Sequence, residues 1–250
     1  MSDPLTIIGS YVSPYVRKVL VFLEMKGVEY RIDPIPPFVG NEAFSQLSPL
    51  RRIPVMCDGE LLLNDSSVIC QYLEDKHPQV SLYPVDIADR ARARWLEEYA
   101  DVALGEAIAG KLFYQLGIKP NLFDEKTNDA IVQQAREVDL PAALDYLETQ
   151  LPAEGFIFGE LSIADISIAS FFRMAGFVRY TIDAERWPRC AGLVARTLAL
   201  PAFAKLATFE DRALRTPVPE QRAVLADMHA PLTATTCGGA PPRRGVIAID

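Results

Sequence analysis

Apolar and polar residues follow two different patterns along this chain, and the change between them falls near residue 80. Before that point, short apolar runs such as Leu5–Ile8 have the length and character of buried strands. Residues 14–26 instead repeat their apolar side chains at the spacing of one helix face, at Val16, Val19, Leu20 and Leu23. Beyond residue 80 only the helical spacing recurs. The pattern therefore predicts a mixed α/β segment followed by an all-helical one.

Turn and capping residues set the order of elements in the first segment. Gly27 is placed to end the first helix, and a second strand is predicted over residues 28–33. A short helix is expected over residues 41–47, and Asp58-Gly59 is typical of a tight hairpin between two further strands. Asp65 begins a group of capping residues before a last helix. The predicted order is β-α-β-α-β-β-α.

The second segment is predicted to consist of helices. One helix is expected from Ile87 to about Leu116, and another over residues 125–149 with a kink or an interruption at Pro141. Ser162 and Asp165 have the spacing of a capping box, which predicts the start of a further helix.

The last part of the chain is less regular. Pro201 is expected to break a helix and to leave only a short turn over residues 203–209. Residues 216–250 are rich in Ala, Pro, Arg and Gly and lack a periodic apolar face, so at most one short helix is expected there. The predicted organisation is a first domain over residues 1–80, an all-helical domain over 87–212 and an extended tail over 213–250.

Composition and charge restrict the class of protein. Hydrophobic residues make up 50% of the 250 residues, which is enough for a sizeable core. The 33 acidic and 25 basic residues give a formal charge of −8, which argues against nucleic acid or an anionic membrane as the partner. The 4 cysteines form no CxxC pair and the 2 histidines lie far apart, so neither a disulfide framework nor a metal site is expected. The first residues lack a basic stretch followed by a long apolar one, and we expect a cytoplasmic location.

Three short stretches carry candidate chemistry, and each also has a purely structural explanation. Ser13 before Pro14 is a common helix start, although its hydroxyl and the nearby amides could also stabilise an anion. Asp65 and Ser66 could be plain caps or could offer amide groups to a carboxylate. Pro54, taken alone, fits an ordinary trans proline at the entry to an edge strand.

The arrangement of these stretches resembles the cytosolic glutathione transferase superfamily, in particular bacterial, serine-type members of tau, omega and zeta character. "RIPV" followed by "NDSS" and "YLEDKHP" is similar to the family's "IPV...ES...YL" run, with Asp65 in place of the commoner Glu. "SPYVRKVLVFLEMKG" is similar to the "SPF" stretch of the tau class, and "SIAD" to a capping motif of the second domain. The resemblance spans Leu5 to about Phe209. It implies an α/β thioredoxin-like N-terminal domain plus an all-α C-terminal helical domain, the glutathione transferase fold.

The same resemblance implies a site for glutathione as a cosubstrate. Pro54 would follow a cis peptide bond, and Val55 would supply backbone hydrogen bonds to the cysteinyl part of the tripeptide. Ser66 would bind the γ-glutamyl carboxylate and Asp65 the ammonium group. Arg52 matches a lysine that reaches glutathione in some members, but solvation explains this exposed charge equally well. The implied glutathione-binding residues are Arg52, Ile53, Pro54, Val55, Asp65 and Ser66.

Ser13 is the implied catalytic residue. It would donate a hydrogen bond to the glutathione sulfur and lower the thiol pKa, because a serine hydroxyl cannot take up the thiol proton itself. Tyr11 is the rival for this role, whereas Tyr15, inside the helix, is expected to pack. A serine in place of the cysteine of omega members argues against disulfide reductase activity. The electrophile site is expected between the domains, with candidate residues Tyr11, Val12, Tyr15 and Tyr114.

The leading hypothesis is therefore a glutathione transferase that activates the glutathione thiolate for attack on a hydrophobic electrophile, as in detoxification. A glutathione-dependent lyase, isomerase or dehalogenase would share the first step, although the Ser-Ser-Cys run of maleylacetoacetate isomerases is missing. The alternative is a non-catalytic protein of the same fold that acts by binding another protein, which the unusual tail motivates. The resemblance also implies a homodimer. Neither a metal, a nucleic acid nor a membrane is expected as a partner.

Overall fold

The computed structural model describes residues 4–244, which separate into two compact units. The first unit contains residues 4–80 and 201–244, and the second contains Ser81–Leu200. Residues 201–212, which the sequence analysis placed in the helical domain, therefore belong to the first unit. The reason is the helix Pro201–Leu214, which packs against the helix Pro14–Lys26.

The first unit begins with the predicted order β-α-β-α-β-β-α. One sheet is formed by β1 (Leu5–Ile8), β2 (Tyr30–Asp33), β3 (Val55–Asp58) and β4 (Leu61–Asn64), in the order β2-β1-β3-β4. β1 is parallel to β2 and antiparallel to β3, and β3 is antiparallel to β4. The helices are α1 (Pro14–Lys26), α2 (Glu42–Leu47) and α3 (Ser66–Lys76), with a 3₁₀ turn over Pro37–Val39. The expected thioredoxin-like α/β architecture is confirmed.

The two faces of this sheet carry different side chains, because successive residues of a strand point to opposite sides. Ile7, Ile32 and Met56 share one face and are fully buried. Ile8 and Val55 share the other face. They belong to an apolar group that we call the Phe44 cluster, which consists of Ile8, Ile35, Phe44 and Val55 with Leu47, Ile53 and Cys237 packed against it.

The first unit is completed by two carboxyl-terminal helices. α10 (Pro201–Leu214) replaces the short turn that was predicted over residues 203–209. Its buried side chains run from Ala202 to Ala213 at the spacing of one helix face, so the helix extends beyond both ends of the predicted turn. α11 (Val218–Asp227) is the one short helix expected in the tail. The chain then extends to residue 244, and the predicted tail residues 245–250 lie outside the described residues.

The second unit is all-helical, as predicted. Its helices are α4 (Ile87–Tyr99), α5 (Lys119–Leu122), α6 (Asp129–Gln134), α7 (Leu140–Gln150), α8 (Ile163–Phe177) and α9 (Pro188–Leu198), with π-type hydrogen bonding over Ala100–Ile118 and Ala135–Asp139. The shorter π-type segment comes just before Pro141, which has no N–H to donate, so the predicted interruption is a widened turn. The capping box is confirmed, since Asp165 accepts hydrogen bonds from the Ser162 N–H at 2.9 Å and the Ser162 hydroxyl at 2.7 Å.

Among the described residues, no single helix is long and apolar enough to cross a bilayer. α9 and α10 together have the required length and composition, but the chain bends by 82° between them.

Candidate functional site

Ser13 forms the predicted N-cap of α1. Its backbone is extended, with ψ at 130°, and Pro14 occupies the first turn of the helix. The Ser13 Oγ accepts a hydrogen bond from the Val16 N–H at 3.4 Å. Within residues 4–244, no group accepts the hydrogen of the Ser13 hydroxyl. This half-buried hydroxyl is therefore available to donate to a ligand.

The loop before Ser13 is held by buried groups. The Val12 N–H donates to Ser10 Oγ at 3.3 Å, and the Arg17 Nη2 donates to the Val12 carbonyl at 3.4 Å. Arg17 and Lys18 are both buried, although neither belongs to the apolar stripe of Val16, Val19, Leu20 and Leu23. The reason is that α1 packs against both α3 and α10, so more than one of its faces is covered.

Tyr11 lies in the interior of the first unit. Its side chain is 1% exposed, and its ring centroid lies 5.2 Å from that of Phe209. The Tyr11 hydroxyl has no hydrogen-bond partner among the described residues. Burial raises the pKa of the phenol, with a smaller contribution from the negative charge of Glu24, so the group stays protonated at neutral pH. Tyr15, the other tyrosine near Ser13, is half-buried.

The peptide bond between Ile53 and Pro54 is cis, as predicted. Gly9 brings this bond close to the start of α1. Its φ is 154°, and a Cβ atom at this position would lie 2.5 Å from Val16 Cγ2 and 3.1 Å from Ile53 Cβ. Only a residue without a side chain lets the first turn of α1 and Ile53 approach one another in this way.

Val55, the residue after the cis proline, is paired on both sides. It lies opposite Ile8 of β1 and opposite Asn64 of β4, and it is fully buried. The sequence analysis assigned the backbone hydrogen bonds of an added strand to Val55, and this pairing leaves no open edge there. Ile53 differs, since among residues 4–244 no hydrogen bond engages its backbone N–H or C=O.

Asp65 and Ser66 form the start of α3. Asp65 is its N-cap, and Asp65 Oδ1 accepts hydrogen bonds from the Ser67 N–H at 2.9 Å and the Val68 N–H at 3.2 Å. The φ of Asp65 is 79°, in the left-handed region that few residues other than glycine adopt. Ser66 is 2% exposed, and neither its N–H nor its hydroxyl has a partner among the described residues. The helix start therefore has unused donors where an anion is favoured.

Sequence reasoning missed Lys18 as a neighbour of this helix start. Its side chain is 1% exposed, and its Nζ donates to Ser67 Oγ at 3.1 Å. A buried ammonium group thus lies against the first turn of α3. The only signal in the sequence was a lysine next to Arg17, between the apolar residues Val16 and Val19 of α1. Arg52, by contrast, is exposed, and within the described chain its guanidinium makes no hydrogen bond or ion pair.

Val12 is buried, and Tyr114 is half-buried in the second unit. Cys70 and Cys190 are buried and Cys57 and Cys237 half-buried, and burial raises the pKa of the Cys57, Cys190 and Cys237 thiols. In the part of the chain that is described, no group of three or more His, Cys, Asp or Glu side chains is arranged to hold a metal ion.

Comparison with known proteins identifies the family. The family model for the glutathione S-transferase N-terminal domain matches residues 7–81, and that for the C-terminal domain matches residues 129–196. The chain belongs to the glutathione S-transferase family. Glutathione S-transferase Z1 of Arabidopsis thaliana is 29% identical over 208 residues, which cover 80% of this chain and 90% of the relative.

Solved structures agree with this fold. A glutathione S-transferase from Rhodospirillum rubrum superposes with a TM-score of 0.75 at 24% identity, over 82% of this chain and 92% of that one. A glutathione S-transferase from Methylobacterium radiotolerans, solved in complex with glutathione sulfonate, gives a TM-score of 0.68 at 24% identity, over 81% and 94% of the two chains.

Proposed function

We propose that this protein is a glutathione transferase in which Ser13 stabilises the thiolate of bound glutathione for attack on a hydrophobic electrophile. The observation that carries the proposal is the set of unused hydrogen-bonding groups in the first unit. These are the Ser13 hydroxyl, the Ile53 backbone, and the N–H and hydroxyl of Ser66. Each of them matches one part of the glutathione molecule.

The peptide body of glutathione would bind between these groups. Ser66 would donate to the γ-glutamyl carboxylate at the start of α3, and Asp65 would accept from the α-ammonium group. The cysteinyl N–H and C=O would pair with the backbone of Ile53, as a strand added to a free edge. We therefore move this backbone role from Val55 to Ile53. Arg52, next to Ile53 and exposed, is free to meet a carboxylate of the ligand.

The sulfur would then lie at the start of α1. A hydrogen bond from the Ser13 hydroxyl and the positive end of the helix dipole both favour the thiolate over the thiol. Lowering the thiol pKa by about two units requires roughly 2.7 kcal/mol of preferential stabilisation, which one charge-assisted hydrogen bond and a helix end can supply. The thiolate would form a carbon–sulfur bond, and the electrophile would either release a leaving group or take up a proton.

Two kinds of relative support glutathione as the ligand. The Methylobacterium radiotolerans transferase of the same fold was solved with glutathione sulfonate, and the Arabidopsis relative carries the name of a glutathione S-transferase. A hydrophobic electrophile, a detoxifying role and a homodimer are expected from the family resemblance alone, and the cytoplasmic location stays a prediction from the sequence. Tyr15 and Tyr114 remain candidate residues for the electrophile.

Calorimetric titration with glutathione tests the proposal. Wild type is expected to bind, and the Asp65→Ala, Ser66→Ala double variant is expected to lose most of the heat of binding. Asp86→Ala is a matched control, because Asp86 caps α4 through the same two bonds, from Ala88 N–H at 2.9 Å and Asp89 N–H at 3.0 Å. The Asp86→Ala variant loses a helix cap worth about 1 kcal/mol of stability, as the double variant does, but it loses no proposed contact with glutathione. Absence of binding by wild type at millimolar glutathione would reject the proposal.

That negative result would leave the alternative, a non-catalytic protein of this fold that acts by binding another protein. The unusual tail motivated it. The described part of the tail packs against the first unit through backbone hydrogen bonds, such as that from the Ile32 N–H to the Pro231 carbonyl at 2.8 Å. It is therefore already engaged within its own chain, which favours the transferase.

A further inference from the structure

The chain after α11 runs along the outer edge of β2. The Ile32 N–H donates to the Pro231 carbonyl at 2.8 Å, and the Thr233 N–H donates to the Ile32 carbonyl at 3.0 Å. Leu232 thereby forms a parallel bridge with Ile32. We call residues 231–243 the C-terminal strap. It covers an edge of the sheet that would otherwise present unpaired backbone groups.

Asp33, the last residue of β2, anchors the strap. Its Oδ2 accepts a hydrogen bond from the Cys237 N–H at 2.6 Å, and its Oδ1 pairs with Arg222 Nη1 at 3.1 Å. The second terminal nitrogen of Arg222 donates to the Thr233 carbonyl. Asp33 is 3% exposed, so a buried carboxylate binds two separate parts of the carboxyl-terminal chain. Hydrogen bonds to a charged group are stronger than those between neutral groups.

Beyond Asp33, the strap holds the loop between β2 and α2. The Asn41 N–H donates to the Cys237 carbonyl at 2.8 Å, and the Ala240 N–H donates to the Val39 carbonyl at 3.0 Å. The Arg243 N–H donates to the Phe38 carbonyl at 2.8 Å.

The same loop is also held by Arg51. Its guanidinium donates to the Gly40 carbonyl at 2.9 Å and to the Pro37 carbonyl at 3.3 Å. The loop is therefore fixed by two separate sets of contacts, one from Arg51 and one from the strap.

The strap also reaches the residues beside the proposed glutathione site. Cys237 and Ile53 both pack against the buried residues of the Phe44 cluster. Gly238 is close enough to Ile35 of that cluster that an added Cβ would lie 2.8 Å from Ile35 Cγ2. A change in the docking of the strap would therefore be transmitted through close-packed side chains to Ile53.

The strap lies outside the region that the family models describe. The match to the C-terminal domain model ends at residue 196, whereas the strap begins at residue 231. The strap is thus additional to the part of the chain on which the family assignment rests.

We propose that the C-terminal strap is a positioning element for glutathione binding, with Asp33 as its positioning residue. The strap fixes the β2–α2 loop and the Phe44 cluster, and through them it fixes the backbone of Ile53. The role of Ile53 in pairing with glutathione rests on the proposed function. Because coupling between two sites is reciprocal, bound glutathione must in turn hold the strap more firmly. Loosening the strap weakens glutathione binding, while the thiolate-stabilising group Ser13 is left in place.

Two variants of the full chain loosen the strap in different ways. Asp33→Asn removes the buried charge that binds Arg222 and Cys237, and Gly238→Ala introduces the contact with Ile35. Gly176→Ala in α8 is the matched control, because a Cβ at that position meets nothing within 4 Å. Strap docking is measured as the rate of amide hydrogen exchange in peptides that cover residues 231–243, read out by mass spectrometry.

Both strap variants are expected to exchange amide hydrogens faster over residues 231–243 and to bind glutathione at least fivefold more weakly, the lower end of typical coupling between sites. The pH dependence of turnover at saturating glutathione should stay that of wild type. Glutathione should slow hydrogen exchange over residues 231–243 in wild type. Gly176→Ala should match wild type in each measurement. Either strap variant alone decides the matter if the other fails to fold.

The outcomes separate the two proposals. If wild type binds glutathione and the strap variants bind it equally well despite faster hydrogen exchange, the strap has no positioning role and the transferase proposal stands. The same conclusion follows if glutathione leaves the exchange rate of residues 231–243 unchanged. If wild type does not bind glutathione, both proposals fail.

Discussion

The guanidinium Nε of Arg17 lies 2.5 Å from the Glu210 carboxylate, and neither side chain is more than 1% exposed. The pair joins α1 to α10, across 193 residues of sequence. Two charges removed from water in this way are tolerated only while they neutralise one another. The contact therefore ties the helix that begins at Ser13 to the carboxyl-terminal part of the first unit.

Glu210→Gln is expected to lower the free energy of unfolding by about 3–5 kcal/mol, because it removes the carboxylate charge that lies 2.5 Å from the buried guanidinium of Arg17. Urea denaturation measures the change. Lys205→Gln in the same helix is the control, since Lys205 is 56% exposed and pairs with Glu24 at 2.7 Å. An exposed pair of this kind contributes no more than about 1 kcal/mol. If both substitutions changed the free energy of unfolding by the same amount, burial of the Arg17–Glu210 pair would not be the reason for its effect.

Ser13→Ala is expected to raise the apparent pKa of the bound glutathione thiol by about one to two units, because a hydrogen bond to a charged group contributes about 1.5–3 kcal/mol. Turnover at neutral pH should fall, while the affinity for glutathione should change little. The pH–rate profile and the ultraviolet absorbance of the bound thiolate report the shift. Ser13→Thr keeps both the hydroxyl and the helix cap and should behave as wild type. An unchanged profile in Ser13→Ala would assign the role to another donor.

Local signals in the sequence were enough to predict the order of strands and helices in much of the first unit. Gly27 at the end of α1 has a φ of 64° and donates to the Glu24 carbonyl, as a helix-terminating glycine does. The Asp58-Gly59 turn joins β3 and β4, and Gly59 has a φ of 59°. These features depend on residues near one another in the chain. The cis bond before Pro54 came from the family resemblance and not from the local sequence.

Features that depend on distant residues were not predictable. Arg17 is buried because Glu210, far along the chain, neutralises it, and Phe203 and Phe209 are buried on a helix that a proline-broken pattern did not suggest. The paired state of Val55 becomes evident only once the strand order is known. The strap has no periodic apolar face, since backbone hydrogen bonds and Asp33 hold it in place.

Tyr11→Phe is expected to leave the pKa of the bound glutathione thiol unchanged, because the Tyr11 hydroxyl is buried and the proposal assigns the thiolate to Ser13. It should also stabilise the fold by up to about 1 kcal/mol, since a buried hydroxyl without a partner is removed. Tyr30→Phe is the control, because the Tyr30 hydroxyl donates a hydrogen bond to Glu24 Oε1 at 3.0 Å. Loss of that hydrogen bond should lower the free energy of unfolding. Urea denaturation and pH–rate profiles give both readouts. A raised thiol pKa in Tyr11→Phe would favour Tyr11 as the donor.

Asp58 at the end of β3 should make the stability of the first unit depend on acid pH. The Asp58 carboxylate accepts a hydrogen bond from the Lys76 ammonium group and another from the Tyr72 hydroxyl at 2.7 Å. The bond from Lys76 is the main reason why the pKa of Asp58 lies below its ordinary value of 3.8, and burial opposes this shift with a smaller effect. Because the folded pKa is the lower one, the contribution of Asp58 is complete above the unfolded value and is lost as the pH falls through the folded one.

The difference in unfolding free energy between wild type and Asp58→Asn should therefore be constant from neutral pH down to about pH 5 and should shrink in more acid solution. Urea denaturation over a pH series measures it. In a Lys76→Met background, the same comparison should lose most of its dependence on pH, because the ammonium group is the main cause of the lowered pKa. A difference between wild type and Asp58→Asn that stays constant down to about pH 3 would show that the carboxylate and Lys76 are not coupled in solution.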